Sequence, residues 1–187
     1  MKVLLAKSAG FCFGVNKAVN AVCDLLDAGE KVATLGPIIH NPQLVEKLRR
    51  RGVQIVERPE DAERDAVLVI RSHGVPRAVY EEIARCGVRM YDATCPFVSK
   101  IHRIVSRYSA DGYRVLIAGN AGHPEVTGIC GHCENGATVF ATPEELGNLL
   151  KNDHHKKEEL VIMAAQTTYN TISWKKCAEI LKKHYTN

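Results

Sequence analysis

No stretch of this sequence approaches the roughly 18 consecutive apolar residues of a bilayer-spanning helix. The opening Met1-Lys2-Val3-Leu4-Leu5-Ala6-Lys7 also has too short an apolar run for an export signal. A cytoplasmic protein is therefore expected. Long polar tracts are missing too, which argues against a disordered chain. With 187 residues, 45% of them hydrophobic, there is material for one large domain or two small ones. Basic clustering is scarce: 25 Lys+Arg against 21 Asp+Glu leaves +4. That balance suits an anionic small molecule as well as a nucleic acid and does not choose between them. An even cysteine count is also lacking. Seven cysteines in a cytoplasmic chain argue against a disulfide framework, so each is a packed thiol, a metal ligand or a reactive group.

What is there is a strand–helix alternation. Val3–Ala6 reads as a short strand, and Val15, Ala18, Val19, Val22, Cys23, Leu25 and Leu26 follow a helical period that stops at Gly29. Strands are expected at Lys31–Leu35, Val53–Val56, Ala66–Ile70 and Val88–Tyr91. Helices open at Asn41-Pro42 and at Pro76. In the second half Pro96 starts a helix with Phe97, Val98, Ile101, Ile104, Val105 and Tyr108 on its apolar face. Tyr113–Ala118 is a strand, followed by a loop rich in glycine (Gly119, Gly122, Gly128, Gly131). Then come a strand at Ala137–Ala141, a helix start at Thr142, a solvated loop over Asn152–Glu159, a strand at Leu160–Ala164 and a helix over Ile172–His184. This is an α/β pattern with mostly parallel sheets, in two lobes of similar rhythm, 14–94 and 95–187, preceded by an N-terminal segment 1–13.

Ligands of open α/β sheets bind beyond the carboxyl ends of the strands. Six such ends carry Gly10-Phe11-Cys12-Phe13-Gly14, Gly36-Pro37-Ile38-Ile39-His40-Asn41, Arg71-Ser72-His73-Gly74-Val75-Pro76, Asp92-Ala93-Thr94-Cys95-Pro96, Gly119 to Glu125, and Gln166-Thr167-Thr168. Two cysteines, three histidines, a glutamate and a threonine pair recur there among Gly and Pro, which marks a functional constellation. Cys12 and Cys95 each precede a helix, whose N-terminus favours thiolate and so suits metal ligation or nucleophilic chemistry. His40, His73 and His123 could donate to an anionic group. Glu125 could pass a proton, with Thr167 and Thr168 orienting a substrate alcohol or relaying that proton. Cys23 and Cys177 read as packing. Cys86 has no visible partner. Cys130-Gly131-His132-Cys133 is a C-x-x-C that could be redox-active or half a zinc site. His102, His154, His155 and His184 are left out of the site.

These motifs, in order along the chain, resemble those of the 4-hydroxy-3-methylbut-2-enyl diphosphate reductases, the LytB family. The resemblance implies a trefoil of three α/β lobes around a [4Fe-4S] cluster held by three cysteines. It also implies reductive removal of an allylic hydroxyl to give isopentenyl and dimethylallyl diphosphate. Cys12 and Cys95 would be two cluster ligands. His40, His73, His123, Thr167 and Thr168 would bind substrate, and Glu125 would deliver protons with Thr167 beside it. A ferredoxin or flavodoxin would donate electrons; neither nucleic acid nor membrane is expected as a partner. The third ligand and the third lobe, with which segment 1–13 would pair, are expected beyond Asn187. The alternatives are a two-lobe fragment that binds a metal or a diphosphate without catalysis, and a thiol-redox protein working through Cys130 and Cys133.

Overall fold

The apolar alternation resolves into seven strands and seven helices in a computed structural model that describes residues 3, 4, 6, 9–152 and 160–186. The chain divides into two compact units. The first takes the chain through Ser72 together with Ile83–Cys95; the second takes His73–Glu82 and everything from Pro96 onward. Residues 73–82 thus leave the stretch 14–94 that the sequence rhythm groups together.

The first unit contains α1 (Phe13–Asp27), β1 (Val32–Leu35), α2 (Pro42–Arg50), β2 (Gln54–Val56), a 3-10 turn at Pro59–Asp61, β3 (Val67–Ile70), the end of α3 (Arg77–Cys86) and β4 (Arg89–Asp92). Its sheet is all parallel, in the order β2-β1-β3-β4, with Thr34 opposite both Ile55 and Val69. Every residue of β1 and β3 is buried, as central parallel strands covered on both faces must be, whereas the edge strand β4 is exposed throughout. Ala18 and Val22 of α1 pack with Val32, Val69, Ile39 and Leu48, and Cys23 joins them as a packed thiol. Asn41 starts α2 by accepting the Leu44 N–H at 3.0 Å, with Pro42 preset in the first turn.

The second unit continues with α4 (Pro96–Ala110), β5 (Arg114–Ala118), α5 (Pro124–Cys130), β6 (Thr138–Phe140), α6 (Pro143–Lys151), β7 (Val161–Ala165) and α7 (Thr171–Thr186). The sheet order is β6-β5-β7, again all parallel. Alternate residues of β5 serve opposite faces. Val115 and Ile117 join Val105, Val126 and Ile129, while Leu116 and Ala118 join Phe140, Leu146, Leu150 and Cys177. Burial raises the Cys177 thiol pKa, in keeping with a packing role. In both units the chain runs from the first strand to a neighbour on one side, then crosses to the other side. The loops leaving β1 and β3, and those leaving β5 and β7, therefore diverge at a switch point.

Two local expectations change, and two more fall wholly or partly outside the described residues. The glycine-rich stretch after β5 contains a helix, α5, because Pro124 presets its first turn and His123 caps it. Gly128 lies inside that helix, where a Cβ would meet His102 Nε2 and the His73 carbonyl oxygen at ordinary contact distances of 3.4 and 3.5 Å. On α4 the buried residues are Val98, His102, Val105 and Ser109, whereas Phe97 and Ile104 are exposed. The strand expected at 3–6 falls in part outside the described residues, and Val3, Leu4 and Ala6 form no strand. Of the loop expected at 152–159, Asn152 is exposed and the remainder lies outside the described residues.

Candidate functional site

In the first unit, Cys12 stands at the start of α1 with extended backbone (φ −64°, ψ 164°), and its side chain makes no capping hydrogen bond. Gly14, in the first turn, is buried; a Cβ there would lie 2.7 Å from Cys95 Sγ. The Cys95 thiol is therefore seated against the opening turn of the helix that Cys12 begins. Its backbone is held as well. The Cys95 N–H donates to Ser72 O at 2.9 Å, and the Thr94 N–H and hydroxyl both donate to Asp92 Oδ1, at 2.9 and 2.5 Å. Thiols at helix starts, as Cys12 before α1 and Cys95 before α4, are soft donors of the kind that hold iron–sulfur groups. Phe11 and Phe13 flank Cys12 and are exposed. Among the described residues, no three His, Cys, Asp or Glu side chains are grouped so that they could hold a metal ion by themselves.

His40 lies exposed in the turn that leads from β1 into α2, one residue before the Asn41 cap. At the head of that turn Gly36 has φ +68°, and a Cβ would stand 3.1 Å from Arg71 Nη1. Arg71, at the end of β3, is half-buried, and burial lowers its guanidinium pKa while nearby Glu57 opposes the shift.

The second unit gathers most of the proton-bearing groups at the β5/β7 switch. Glu125 is only 3% exposed. Both of its oxygens are occupied by one residue: the Thr167 N–H donates to Oε1 at 2.6 Å and the Thr167 hydroxyl to Oε2 at 2.8 Å. His123 Nδ1 accepts the Glu125 N–H at 3.1 Å, so the neutral ring carries its proton on Nε2. The His73 ring meets the His123 ring edge-on, with centroids 5.4 Å apart. Thr168 is turned to a different partner, accepting from Gln166 Nε2 at 2.9 Å, while Gln166 Oε1 accepts the Asn120 N–H at 3.2 Å. Gln166 thereby ties the β7 loop to the β5 loop.

A further cluster at the opposite end of α5 was not expected. His102 is buried and stacks on His132, with ring centroids 4.1 Å apart and planes inclined by 22°. His132 Nε2 donates to Val75 O at 3.1 Å. The Arg77 N–H donates to Gly131 O at 3.3 Å, and its guanidinium reaches Glu134 Oε1 (2.5 Å), Ser106 Oγ (2.6 Å) and His132 O (3.4 Å). A Cβ on Gly131 would overlap Pro76. These contacts explain why residues 73–82 belong with the second unit. The sequence reading leaves His102 out of the site. The spacing of Val98, His102, Val105 and Ser109 was the signal that it faces inward.

The structure thus brings together His73 with His123 and Glu125 with Thr167, and seats the Cys95 thiol against the first turn of the helix that Cys12 begins. A concavity between α6 and α7, lined by Glu144, Lys176, Glu179 and Lys183 among others, contains none of these residues.

Comparison with known proteins bears on the same motifs. A family model described as LytB protein matches residues 3–187. The 4-hydroxy-3-methylbut-2-enyl diphosphate reductase of Thermoanaerobacter sp. (strain X514) is 40% identical over 186 residues, covering 97% of this chain and 62% of that protein. The reductase of the same name from Clostridioides difficile (strain 630) is 41% identical over 171 residues, covering 91% and 60%. A solved structure described as (E)-4-hydroxy-3-methyl-but-2-enyl diphosphate reductase, the terminal enzyme of the non-mevalonate pathway, is 38% identical. It has a TM-score of 0.77 over 96% of this chain and 63% of that one. The Plasmodium falciparum reductase structure, 22% identical, shares the fold with a TM-score of 0.86 over 96% of this chain and 56% of its own. The chain spans about three-fifths of the length of the curated relatives it matches. With the family model covering nearly every residue, the chain belongs to the LytB family.

Proposed function

We propose that this protein is a cytoplasmic reductase that removes the allylic hydroxyl of 4-hydroxy-3-methylbut-2-enyl diphosphate. The products are isopentenyl and dimethylallyl diphosphate. Each turnover takes up two electrons and two protons and releases one water, with a ferredoxin or flavodoxin as electron donor. A [4Fe-4S] cluster, held by Cys12 and Cys95 and by a third cysteine expected beyond Asn187, would supply Lewis-acid and one-electron chemistry when bound. The donor pair fits that group: each thiol stands at a helix start, with Gly14 leaving room for Cys95.

The observation that carries the reading is the Glu125–Thr167 pair. A hydroxyl both donates and accepts, so a proton on Glu125 Oε2 can pass to Thr167 Oγ1 while the Thr167 proton passes to the departing substrate oxygen. Glu125 ends ionised, and the two hydrogen bonds that Thr167 donates stabilise that carboxylate. With its Nδ1 committed to the Glu125 N–H, His123 presents Nε2–H to a diphosphate oxygen. His73 and His40 would serve the same anion, and the Thr168 hydroxyl retains its own proton for a substrate oxygen.

Oxygen-free purification and reconstitution, beside Cys12→Ser, tests this. With the third cysteine supplied, about four irons and four sulfides per chain are expected in the parent protein and a large loss in the variant. Conversion of the allylic diphosphate by the loaded protein completes the test. Retention of iron by Cys12→Ser would overturn the ligand assignment. Diphosphate binding without iron or turnover would favour the non-catalytic fragment instead.

A further inference from the structure

The Cys130-Gly131-His132-Cys133 segment takes no part in the chemistry above, yet it forms the end of α5 opposite Glu125. The Cys133 N–H donates to Cys130 O at 3.1 Å, closing a four-residue turn at the end of the helix. Such a turn holds its first and last Cα within about 7 Å, close to the upper end of the range that a disulfide bridges. Both thiols are half-buried against the cluster of Val126 and Ile129, and Cys133 Sγ donates to Ile129 O at 3.6 Å. The imidazole between them is already committed: His132 has its Nε2 on Val75 O and its ring face on His102.

The two residues enclosed by the thiols are the ones on which segment 73–77 docks. Gly131 makes room for Pro76 and accepts from Arg77, and His132 holds Val75. His73 begins that segment, and His123 begins the helix that the Cys130–Cys133 turn ends. Both members of the His73–His123 pair are thus tied to this turn, one through the docked segment and the other through α5.

We propose that Cys130 and Cys133 form a reversible dithiol–disulfide pair, closed by a low-molecular-weight disulfide such as glutathione disulfide, whose closure displaces the docked 73–77 segment and the His73–His123 pair. One protein thiolate attacks glutathione disulfide and releases one glutathione. The second then attacks the mixed disulfide and releases the other. One S–S bond is broken and one formed, two electrons pass to glutathione, and the two thiol protons end on the two glutathiones. Burial raises both thiols, Cys133 to about 11, so closure is slow and the finished disulfide has poor leaving groups that resist reduction. The consequence for substrate rests on the diphosphate role proposed above; the thiol chemistry and the histidine displacement do not.

The full chain, equilibrated with glutathione disulfide and then with dithiothreitol, is alkylated with N-ethylmaleimide and digested with trypsin. Peptide 115–151 holds these two cysteines and no others. It is expected to lose two hydrogens and escape alkylation after oxidation, and to take two maleimides after reduction. The His73 and His123 ring signals, followed by NMR, are expected to move on oxidation and to stay still in Cys133→Ala. Inorganic pyrophosphate should bind the oxidised form about fivefold more weakly or worse. Two maleimides after oxidation, a glutathione on each cysteine, or a closed disulfide with both histidine signals unmoved would each overturn the proposal. If the reduced protein fails to bind pyrophosphate, the diphosphate reading falls, while the alkylation pattern and histidine signals still decide the redox device.

Discussion

The two units share a plan, a parallel sheet whose chain crosses over after the second strand, yet they prepare their functional groups in opposite ways. In the first, Cys12 makes no capping hydrogen bond, and Cys95 is defined by the space that Gly14 leaves for it. In the second, Glu125 is buried and held at both oxygens by Thr167, with His123 fixed through the Glu125 N–H. The difference is what the proposed chemistry requires. A soft thiolate donor must remain available to a metal, whereas a proton relay must be aligned before substrate arrives. In the proposed reaction the first unit would offer ligands, and the second offers prearranged hydrogen bonds.

Separating those roles is the sharpest way to challenge the comparison. Glu125→Gln keeps the shape of the relay and removes its acid, so kcat should fall about 10²–10⁴-fold. Iron content should match the parent protein, the reverse of the pattern in Cys12→Ser. Loss of iron from Glu125→Gln would show that the two chemistries are not divided between the units. Next in size come the central strands. Leu68→Ala and Leu116→Ala each empty a fully buried site, and each should cost about 2–5 kcal/mol in urea unfolding. Hydrogen exchange should report the loss mainly in the unit that carries the substitution.

The glycines that admit a neighbour give a finer contrast. Gly14→Ala and Gly131→Ala each place a methyl group against a packed neighbour and should destabilise by about 1–3 kcal/mol. Gly14→Ala should also slow alkylation of Cys95, while Gly131→Ala should shift the His73 ring signal and leave Cys95 unchanged. The smallest effect is a pH slope confined to the second unit. Burial raises Cys133 from an ordinary 9.0 to about 11, so between those values the unfolded chain has released a proton that the folded chain retains. Its contribution to stability is therefore fully present below pH 9 and is lost as pH climbs toward 11. The melting temperature should fall across that window, and less steeply in Cys133→Ala.

The fold was legible where periodicity was strong and caps were explicit. Asn41-Pro42 and Thr142-Pro143 announced α2 and α6, and each side chain does accept the backbone N–H three residues on. Less legible was anything that depends on a neighbour distant in sequence. Four glycines after β5 pointed to a loop, and only the approach of Pro76, distant in sequence, explains Gly131 at the end of a helix. His102 was left out of the site, although its spacing from Val98 and Val105 pointed inward. The pairing of Glu125 with Thr167, 42 positions apart, was suggested by motif; its two-point geometry needed the β5–β7 pairing to bring the strand ends together.

Because residues 73–82 belong to the second unit while the chain on either side belongs to the first, the polypeptide passes between units at 72/73, 82/83 and 95/96. This bears on synthesis. As the chain leaves the ribosome, the first sheet gains its last strand at Arg89–Asp92, but the Arg77 anchor must wait for Ser106, His132 and Glu134. A nascent chain ending near residue 100 would therefore carry a nearly finished first sheet and an undocked 73–77 segment. The histidine at the head of that segment must wait for a partner, His123 at the start of α5, that is made fifty residues after it.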